Sequence, residues 1–270
     1  MRINTNINSM RTQEYMRQNQ DKMNTAMNRL SSGKSINSAA DDAAGLAIAT
    51  RMRAKEGGLN VGARNTQDAM SALRTGDAAL GSVSNILLRM RDLATQASSG
   101  TNNDNDIASM NKEYKALKEE IDHIAGKTNF NGNAFLDGAS GKNITIQLSD
   151  VSGDTMEVAA IDTKALTTGT LATDLDAASA PTEITALDTA IQKIADAKAT
   201  FGSQLNRLDH NLNNVTSQAT NMAAAASQIE DADMAKEMSA MTKFKILNEA
   251  GISMLSQANQ TPQMVSKLLQ

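Results

Sequence analysis

The sequence predicts a mainly α-helical fold: a long coiled-coil helical bundle rod with paired N- and C-terminal helices and a small β-hairpin region. The strongest observation is a seam of apolar side chains that steps by three and four residues from 184 to 229. A helix of this length extends roughly 70 Å at about 1.5 Å per residue, and a sustained 3.5-residue repeat needs partner helices along it. Lys198 is the one polar member of the seam, which consists of Ile184, Leu187, Ile191, Ile194, Lys198, Phe201, Leu205, Leu208, Leu212, Val215, Ala219, Met222, Ala226 and Ile229.

The composition favours a thin bundle over a globular core. The 270 residues include no Trp, two prolines and 2% aromatic residues, but 16 methionines. Leu, Ile, Met and Ala can fill a bundle that is two or three helices across, whereas a thick core needs larger side chains.

The charge distribution argues against a nucleic-acid or membrane partner. The net charge is −4, and a protein that binds duplexes usually carries a basic footprint. No apolar run reaches the length of a membrane span. Residues 1–29 carry +3 and residues 233–270 carry +1, so the middle is acidic. The N-terminus lacks the apolar core of a secretory leader, so if the chain leaves the cell we expect it to do so without a cleaved signal peptide.

Motifs that carry enzyme chemistry are missing from the sequence. It contains no cysteine, no phosphate-binding loop and no nucleophile elbow, so we expect no enzymatic activity and no cofactor. His123 and His210 are isolated beside the seams, which predicts no metal site. Asp41 and Asp42 are adjacent carboxylates, but helix capping explains them better than acid–base chemistry.

The first helix is predicted over residues 3–30, on a seam of Ile3, Ile7, Met10, Gln13, Met16, Gln20, Met23, Met27 and Leu30. A helix this polar is marginal alone and needs a partner. Gly33 is placed to end it, and Asp41 or Asp42 to cap the next helix, which runs from about 43 to 98. Gly57, Gly58 and Gly62 predict a bend or break in the first half of that second helix.

The middle of the chain continues with helical seams and then changes character. The second helix has a clean seam at Ala69, Leu73, Gly76, Leu80, Val83, Leu87, Met90, Ala94 and Ala97. After a polar turn at 98–106, a short third seam follows at Met110, Tyr114, Leu117, Ile121 and Ile124. Residues 143–148 alternate with period two and predict a strand, and 155–161 predict a second one. Residues 165–180 are expected to be a loop, and Pro181 to open the long helix.

A new apolar stripe begins after residue 233, with extra apolar residues on its other faces. One thin partner helix cannot cover all of this surface, so we infer contacts with further copies of the chain. A promiscuous peptide groove is the alternative interpretation of the methionine-rich stripe. The expected self-assembly residues are Met234, Met238, Met241, Phe244, Leu247, Met254, Leu255, Val265, Leu268 and Leu269.

Five motifs in the same order resemble the bacterial flagellin family. They are residues 30–45 (LSSGKSINSAADDAAG), 88–94 (LRMRDLA), 130–132 (FNG), 228–233 (QIEDAD) and 257–263 (QANQTPQ). The resemblance covers roughly 1–150 and 182–270. It implies an extracellular structural subunit that polymerises into the flagellar filament for swimming motility after type III export.

The resemblance also implies a domain layout and a set of partners. Residues 1–33 and 234–270 would form an inner core domain, and 46–180 with 181–231 an outer core bundle with a β-hairpin near 130–165. Linkers would lie at 34–45 and 228–233. Implied partners are further copies, an export chaperone, hook-associated and cap proteins, and Toll-like receptor 5 in hosts. The alternatives are a hook–filament junction protein of the same family and a soluble coiled-coil adaptor.

The receptor site that the resemblance implies consists of Arg89, Leu93 and Glu113. Arg89 would supply a planar group with several donors, and Leu93 an apolar anchor. The alternative is that Arg89 and Glu113 serve contacts between subunits.

Overall fold

The computed structural model describes residues 6–134, 136–137, 143–158, 160–167, 171–172 and 174–268. The described helices are α1 (Ile7–Ser32), α2 (Ala43–Ala97), α3 (Asp104–Lys127), α4 (Thr163–Thr167), α5 (Ala180–Glu230) and α6 (Met234–Leu268). Two small antiparallel hairpins pair β1 (Asn129–Phe130) with β2 (Asn133–Ala134), and β3 (Ile144–Gln147) with β4 (Thr155–Val158). This confirms the predicted mainly α-helical class with long terminal helices and small hairpins.

The chain divides into two compact units. The terminal unit is Met1–Lys55 with Thr220–Gln270, and the middle unit is Glu56–Ala219. Helices α2 and α5 each contribute residues to both units.

The helix ends follow capping signals that the sequence shows. The Gly33 backbone has φ 71° at the end of α1, and its N–H donates to the Arg29 carbonyl oxygen at 2.9 Å. The Asp42 carboxylate accepts from the backbone N–H groups of Ala44 and Gly45, each at 3.0 Å, and so caps α2. Asn103 and Asp106 form a reciprocal capping box at the start of α3. These contacts confirm the predicted roles of Gly33 and Asp42.

The core of the middle unit consists of the predicted seams. Leu80, Val83, Leu87 and Met90 of α2 are fully buried, as are Leu187, Ile194 and Leu208 of α5, and every member of the long α5 seam is buried or half-buried. Lys198 reaches out of its seam toward Asp77, with Nζ at 3.8 Å from Oδ1. The heptad interpretation of α5 is therefore confirmed along its whole length.

Of the predicted bend or break in α2, the break is wrong, because the helix continues through all three glycines. A Cβ on Gly62 would lie 2.5 Å from the Leu148 carbonyl oxygen, and one on Gly58 would lie 2.6 Å from the Asp150 Cβ. Gly57 has no such neighbour within 4 Å. Two of the glycines therefore admit the turn of the β3–β4 hairpin against α2, and packing compensates for their low helix propensity.

The β region confirms both predicted strands and adds elements that the sequence interpretation missed. Ile146 pairs with Met156, and both side chains are buried. Asn131 and Gly132 have φ of 50° and 82°, so the last two residues of the FNG motif form the tight turn of the β1–β2 hairpin. The short helix α4 lies partly in the expected loop at 165–180.

The α5–α6 connection is shorter than the expected 228–233, since α5 continues to Glu230 and Asp233 caps α6. The Asp233 carboxylate accepts from the N–H groups of Ala235 at 3.0 Å and Lys236 at 3.1 Å. No glycine or proline interrupts residues 228–230, so nothing there stops the helix earlier.

The seam predicted for α1 is only partly correct. Ile7, Met10 and Met27 are exposed, whereas Ala26 is buried. Helix α6 covers one narrow side of α1, and the small side chain of Ala26 lets the two backbones approach there. Part of the apolar seam is consequently left uncovered, and Ile3 lies outside the described residues.

Candidate assembly surface

Helices α1 and α6 pair antiparallel through polar contacts spread along their length. The Asn6 side-chain amide donates to the Ala258 carbonyl oxygen at 2.8 Å, and that of Asn248 donates to the Gln20 Oε1 at 2.6 Å. Nearer the connection, Arg29 Nη1 lies 3.3 Å from Glu237 Oε1. The pairing register is thus set by specific hydrogen bonds more than by a continuous apolar seam.

Two further contacts bring α1 and α6 close together. A Cβ on Gly251 would lie 2.8 Å from the Met16 Cγ, so the glycine makes room for the methionine. The Lys22 ammonium lies 5.8 Å from the centroid of the Phe244 ring, which is a favourable cation–π distance.

Much apolar surface on both helices has no cover within the subunit. Among the described side chains of α6, residues 234–260, none is fully buried. The exposed fraction reaches 58% for Ile246, 57% for Ile252 and 66% for Met254. The other exposed large apolar residues of these helices are Ile7, Met10, Tyr15 and Met27 on α1, and Met234, Met238 and Leu247 on α6. An exposed apolar surface of this extent is typical of an interaction site.

The residues expected from the sequence fall into three groups. Met234, Met238, Leu247 and Met254 are exposed, and Met241, Phe244 and Leu255 are half-buried. Val265 and Leu268 belong to the helix, but their side chains lie outside the described part of the chain, as does Leu269 entirely. Sequence reasoning did not select Tyr15 of α1, which lies off the heptad seam.

A buried glutamate joins the two chain segments that enter and leave the terminal helices. Glu230 is 4% exposed, and its Oε2 lies 3.1 Å from Lys34 Nζ and 3.5 Å from Arg53 Nη2. The Ser35 N–H donates to the Glu230 carbonyl oxygen at 2.6 Å, and the Ala232 N–H donates to the Gly33 carbonyl oxygen at 2.9 Å. These bonds form a short antiparallel bridge at the base of the α1–α6 pair.

The expected receptor residues lie on the middle unit, two at the surface and one in the core. Arg89 Nε donates to Glu113 Oε1 at 2.8 Å, and both side chains are about half exposed. This hydrogen bond raises the pKa of the Arg89 guanidinium further above its usual value, so the group stays charged. Leu93 is 2% exposed, so the structure does not present it as a surface anchor.

A polar contact inside the middle unit escaped the sequence interpretation. The buried Tyr114 hydroxyl donates to the Glu183 carboxylate, which is 4% exposed and also accepts from the Ala172 N–H at 3.0 Å. Burial, together with this hydrogen bond, raises the pKa of the Tyr114 hydroxyl well above its usual range. The only feature of the sequence that pointed to this contact was the position of Tyr114 on the third seam.

Nowhere in the described ranges do three or more His, Cys, Asp or Glu side chains cluster closely enough to hold a metal ion. No described helix combines the length and the apolar character that crossing a membrane requires.

Comparison with family models gives two matches that together span most of the chain. The bacterial flagellin N-terminal helical region matches residues 3–141, and the bacterial flagellin C-terminal helical region matches residues 184–269. Both ranges include the terminal helices described above.

Full-length relatives and solved structures give the same result. The chain is 43% identical to a flagellin of Listeria monocytogenes and 36% identical to one of Bacillus subtilis, covering 100% of this chain and at least 99% of each relative. The crystal structure of Bacillus cereus flagellin is 77% identical over 60% of this chain and 94% of its own, with a TM-score of 0.54. A putative flagellar hook-associated protein from Vibrio parahaemolyticus, 15% identical with a TM-score of 0.61, covers 71% of this chain and 100% of its own and shows the fold alone.

Proposed function

This chain belongs to the bacterial flagellin family, and from that premise we propose that the exposed apolar surface of α1 and α6 is the part of the subunit that neighbouring copies cover during polymerisation. The family is structural and not enzymatic, and its members polymerise into the extracellular flagellar filament. The chain is accordingly a structural subunit of that filament. No observation favours a junction protein or a soluble adaptor.

The uncovered apolar side chains of α6 carry the proposal. A helix that is apolar on several sides but has one partner leaves surface that water solvates poorly. Covering about 100 Å² of such surface contributes about 2.5 kcal/mol. The helix pair of a neighbouring copy can cover this surface with equally apolar side chains, because both helices expose methionine and isoleucine.

Seeded growth on short filament fragments tests this surface. The double variant Ile246→Asp, Ile252→Asp changes two exposed side chains and leaves the subunit core intact. Burying a carboxylate against apolar surface is unfavourable, so the critical concentration for growth should rise at least about tenfold. A chain that ends at Asp231 should not extend the seeds at all.

The matched control is Ser71→Asp, which adds the same group at an exposed position of α2. This variant should grow like the parent chain. Normal growth of the double variant would contradict the proposal, and so would equal loss in both variants, since that result would indicate a general effect of added charge.

The same surface explains the other partners that we propose for the chain. Before assembly an export chaperone would cover the α6 stripe, which is exposed in the isolated subunit. Hook-associated and cap proteins would meet the subunit at the two ends of the filament. Chaperone binding should be lost with the chain that ends at Asp231 and retained with Ser71→Asp, as measured by co-elution of the purified pair.

We also propose that host Toll-like receptor 5 recognises the surface pair Arg89 and Glu113. The Arg89 guanidinium is charged and has further N–H donors besides the one bonded to Glu113, and these could bind the receptor. The buried Leu93 would position the helix rather than contact the receptor. The support is the exposure of this pair and its match to the family motif.

Binding of the receptor ectodomain to the unassembled subunit tests the pair. Arg89→Ala should weaken binding at least about tenfold, since arginine is a frequent hot-spot residue. Arg74→Ala, which removes another exposed arginine of α2, is the control. Equal affinities of the two variants would exclude Arg89 from the contact.

A further inference from the structure

Methionine exposure differs sharply between the two units. Five described methionines are more than a third exposed, and all five lie on α1 or α6: Met10 at 62%, Met27 at 51%, Met234 at 47%, Met238 at 56% and Met254 at 66%. In the middle unit, by contrast, Met90 is 0% and Met156 is 4% exposed. Met70 and Met110 of the middle unit are half-buried, so the most exposed methionine side chains among the described residues lie on the surface proposed above for assembly.

Exposed thioethers react with peroxides in a two-electron step. The sulfur attacks one peroxide oxygen, the O–O bond breaks and an S–O bond forms. Methionine is oxidised to its sulfoxide, and hydrogen peroxide is reduced to water. The product is a polar and chiral side chain in place of a flexible apolar one.

We propose that Met10, Met27, Met234, Met238 and Met254 form an oxidation site at which peroxide-class oxidants prevent the free subunit from polymerising. The inference rests on the proposed assembly surface. Each sulfoxide oxygen is an acceptor that water satisfies in the free subunit. Covering it with the apolar side chains of a neighbouring copy removes that water without replacing its hydrogen bond.

Because the five methionines lie on the proposed assembly surface, their susceptibility to oxidation differs between the free and the assembled subunit. Oxidation follows exposure, so the free subunit is vulnerable at these positions while Met90 and Met156 are protected by its own core. Once neighbouring copies cover α1 and α6, the same thioethers become inaccessible. The site therefore acts on subunits before they join the filament.

The experiment uses the full chain, hydrogen peroxide and seeded growth. Purified subunit is oxidised, the modified methionines are mapped by mass spectrometry, and growth on seeds is compared with untreated subunit. We expect sulfoxide at the five exposed positions first, at a dose that spares Met90 and Met156, and an increase in critical concentration of at least about tenfold. Assembled filaments given the same dose should show little oxidation at the five positions.

A variant that carries Met→Leu at all five positions keeps the surface apolar but removes the sulfurs. Compared with its own untreated growth, it should keep growing after peroxide treatment, whereas growth of a Met90→Leu control should remain sensitive to peroxide. If the five-fold variant fails to grow untreated, single Met254→Leu and Met238→Leu variants should each reduce the loss caused by peroxide.

The outcomes separate this inference from the proposed function. If untreated parent subunit grows and its mapped, oxidised form grows equally well, the oxidation site is refuted while the assembly surface stands. If oxidation of the buried methionines precedes the growth defect, the inference is likewise refuted. If Ile246→Asp with Ile252→Asp grows normally, the assembly surface itself fails, and this inference fails with it.

Discussion

A single hydroxyl in the middle unit shows how a buried carboxylate is stabilised at the residue scale. Tyr114 and Glu183 are both almost inaccessible to water, and the Tyr114 hydroxyl and the Ala172 N–H each donate a hydrogen bond to the Glu183 carboxylate. A buried carboxylate that loses one of two donors is left with uncompensated charge. The pair therefore fixes how α3 meets the start of α5.

Tyr114→Phe should destabilise the middle unit by about 1.5–3 kcal/mol, because it removes a hydrogen bond to a charged group. Tyr15→Phe is the matched control, since the Tyr15 side chain is 63% exposed and the same oxygen is removed. Urea denaturation followed by circular dichroism measures the difference. Equal midpoints for the two variants would show that the buried bond contributes nothing to stability.

The raised pKa of Tyr114 also predicts a dependence on alkaline pH. The hydroxyl stays neutral in the folded chain above the usual phenol pKa of about 10, whereas in the unfolded chain it ionises there. Its contribution to stability is therefore fully present below about pH 10 and is lost as the pH rises further. In the Tyr15→Phe chain, which retains one phenol, phenolate absorbance should appear only as the protein unfolds.

Contacts between residues close in sequence were predictable from the sequence, whereas contacts between distant residues were not. Gly33 and Asp42 act on backbone groups within four residues, so their roles follow from chain order. The Tyr114–Glu183 hydrogen bond and the Lys34–Glu230 ion pair join residues 69 and 196 positions apart in sequence, and their geometry depends on how the helices pack. The burial of Leu93 could not be predicted for the same reason, because it depends on neighbouring helices.

The packing of the β3–β4 hairpin against α2 depends on two helical glycines, Gly58 and Gly62. Its turn lies so close to α2 that a Cβ on Gly62 would overlap the Leu148 carbonyl oxygen. Asn65 supports the approach by donating from its side-chain amide to the Gln147 carbonyl oxygen at 3.3 Å. Backbone packed this closely cannot shift as a flexible side chain can.

Gly62→Ala should therefore destabilise the middle unit by about 1–3 kcal/mol, despite the better helix propensity of alanine. Gly57→Ala is the control, because nothing lies within 4 Å of its added Cβ and the helix should gain about 0.5–1 kcal/mol. Thermal denaturation of both variants gives the comparison. A gain for both would mean that the hairpin moves aside without cost.

Prediction of the helices succeeded where the apolar pattern was long, and it failed where contacts with distant elements determined the structure. The α5 seam repeats over many turns, so its buried face was fixed by periodicity alone. The glycines of α2 predicted a break because propensity was the only available signal, whereas a distant hairpin determined the result. On α1 a weak seam could not specify which side α6 would cover.

For the whole molecule, the contrast between the two units suggests that assembly is coupled to ordering of the terminal helices. The middle unit has a continuous apolar core, whereas α1 has one fully buried residue and α6 has none among its described side chains. Helical pairs with so little burial open easily, and a partner that binds only the closed form stabilises it.

Hydrogen exchange of the free subunit and of the filament tests this coupling. In the free subunit, amides of α1 and α6 should exchange at least about tenfold faster than those of the α5 segment around Phe201 and Leu208, because opening the terminal pair exposes less apolar surface. In the filament the terminal amides should become protected, since neighbouring copies bury the side chains that hold the helices closed. The α5 amides are the internal control and should change little between the two states. Strong protection of α1 and α6 already in the free subunit would show that the pair is stable before assembly, and that polymerisation joins preformed surfaces.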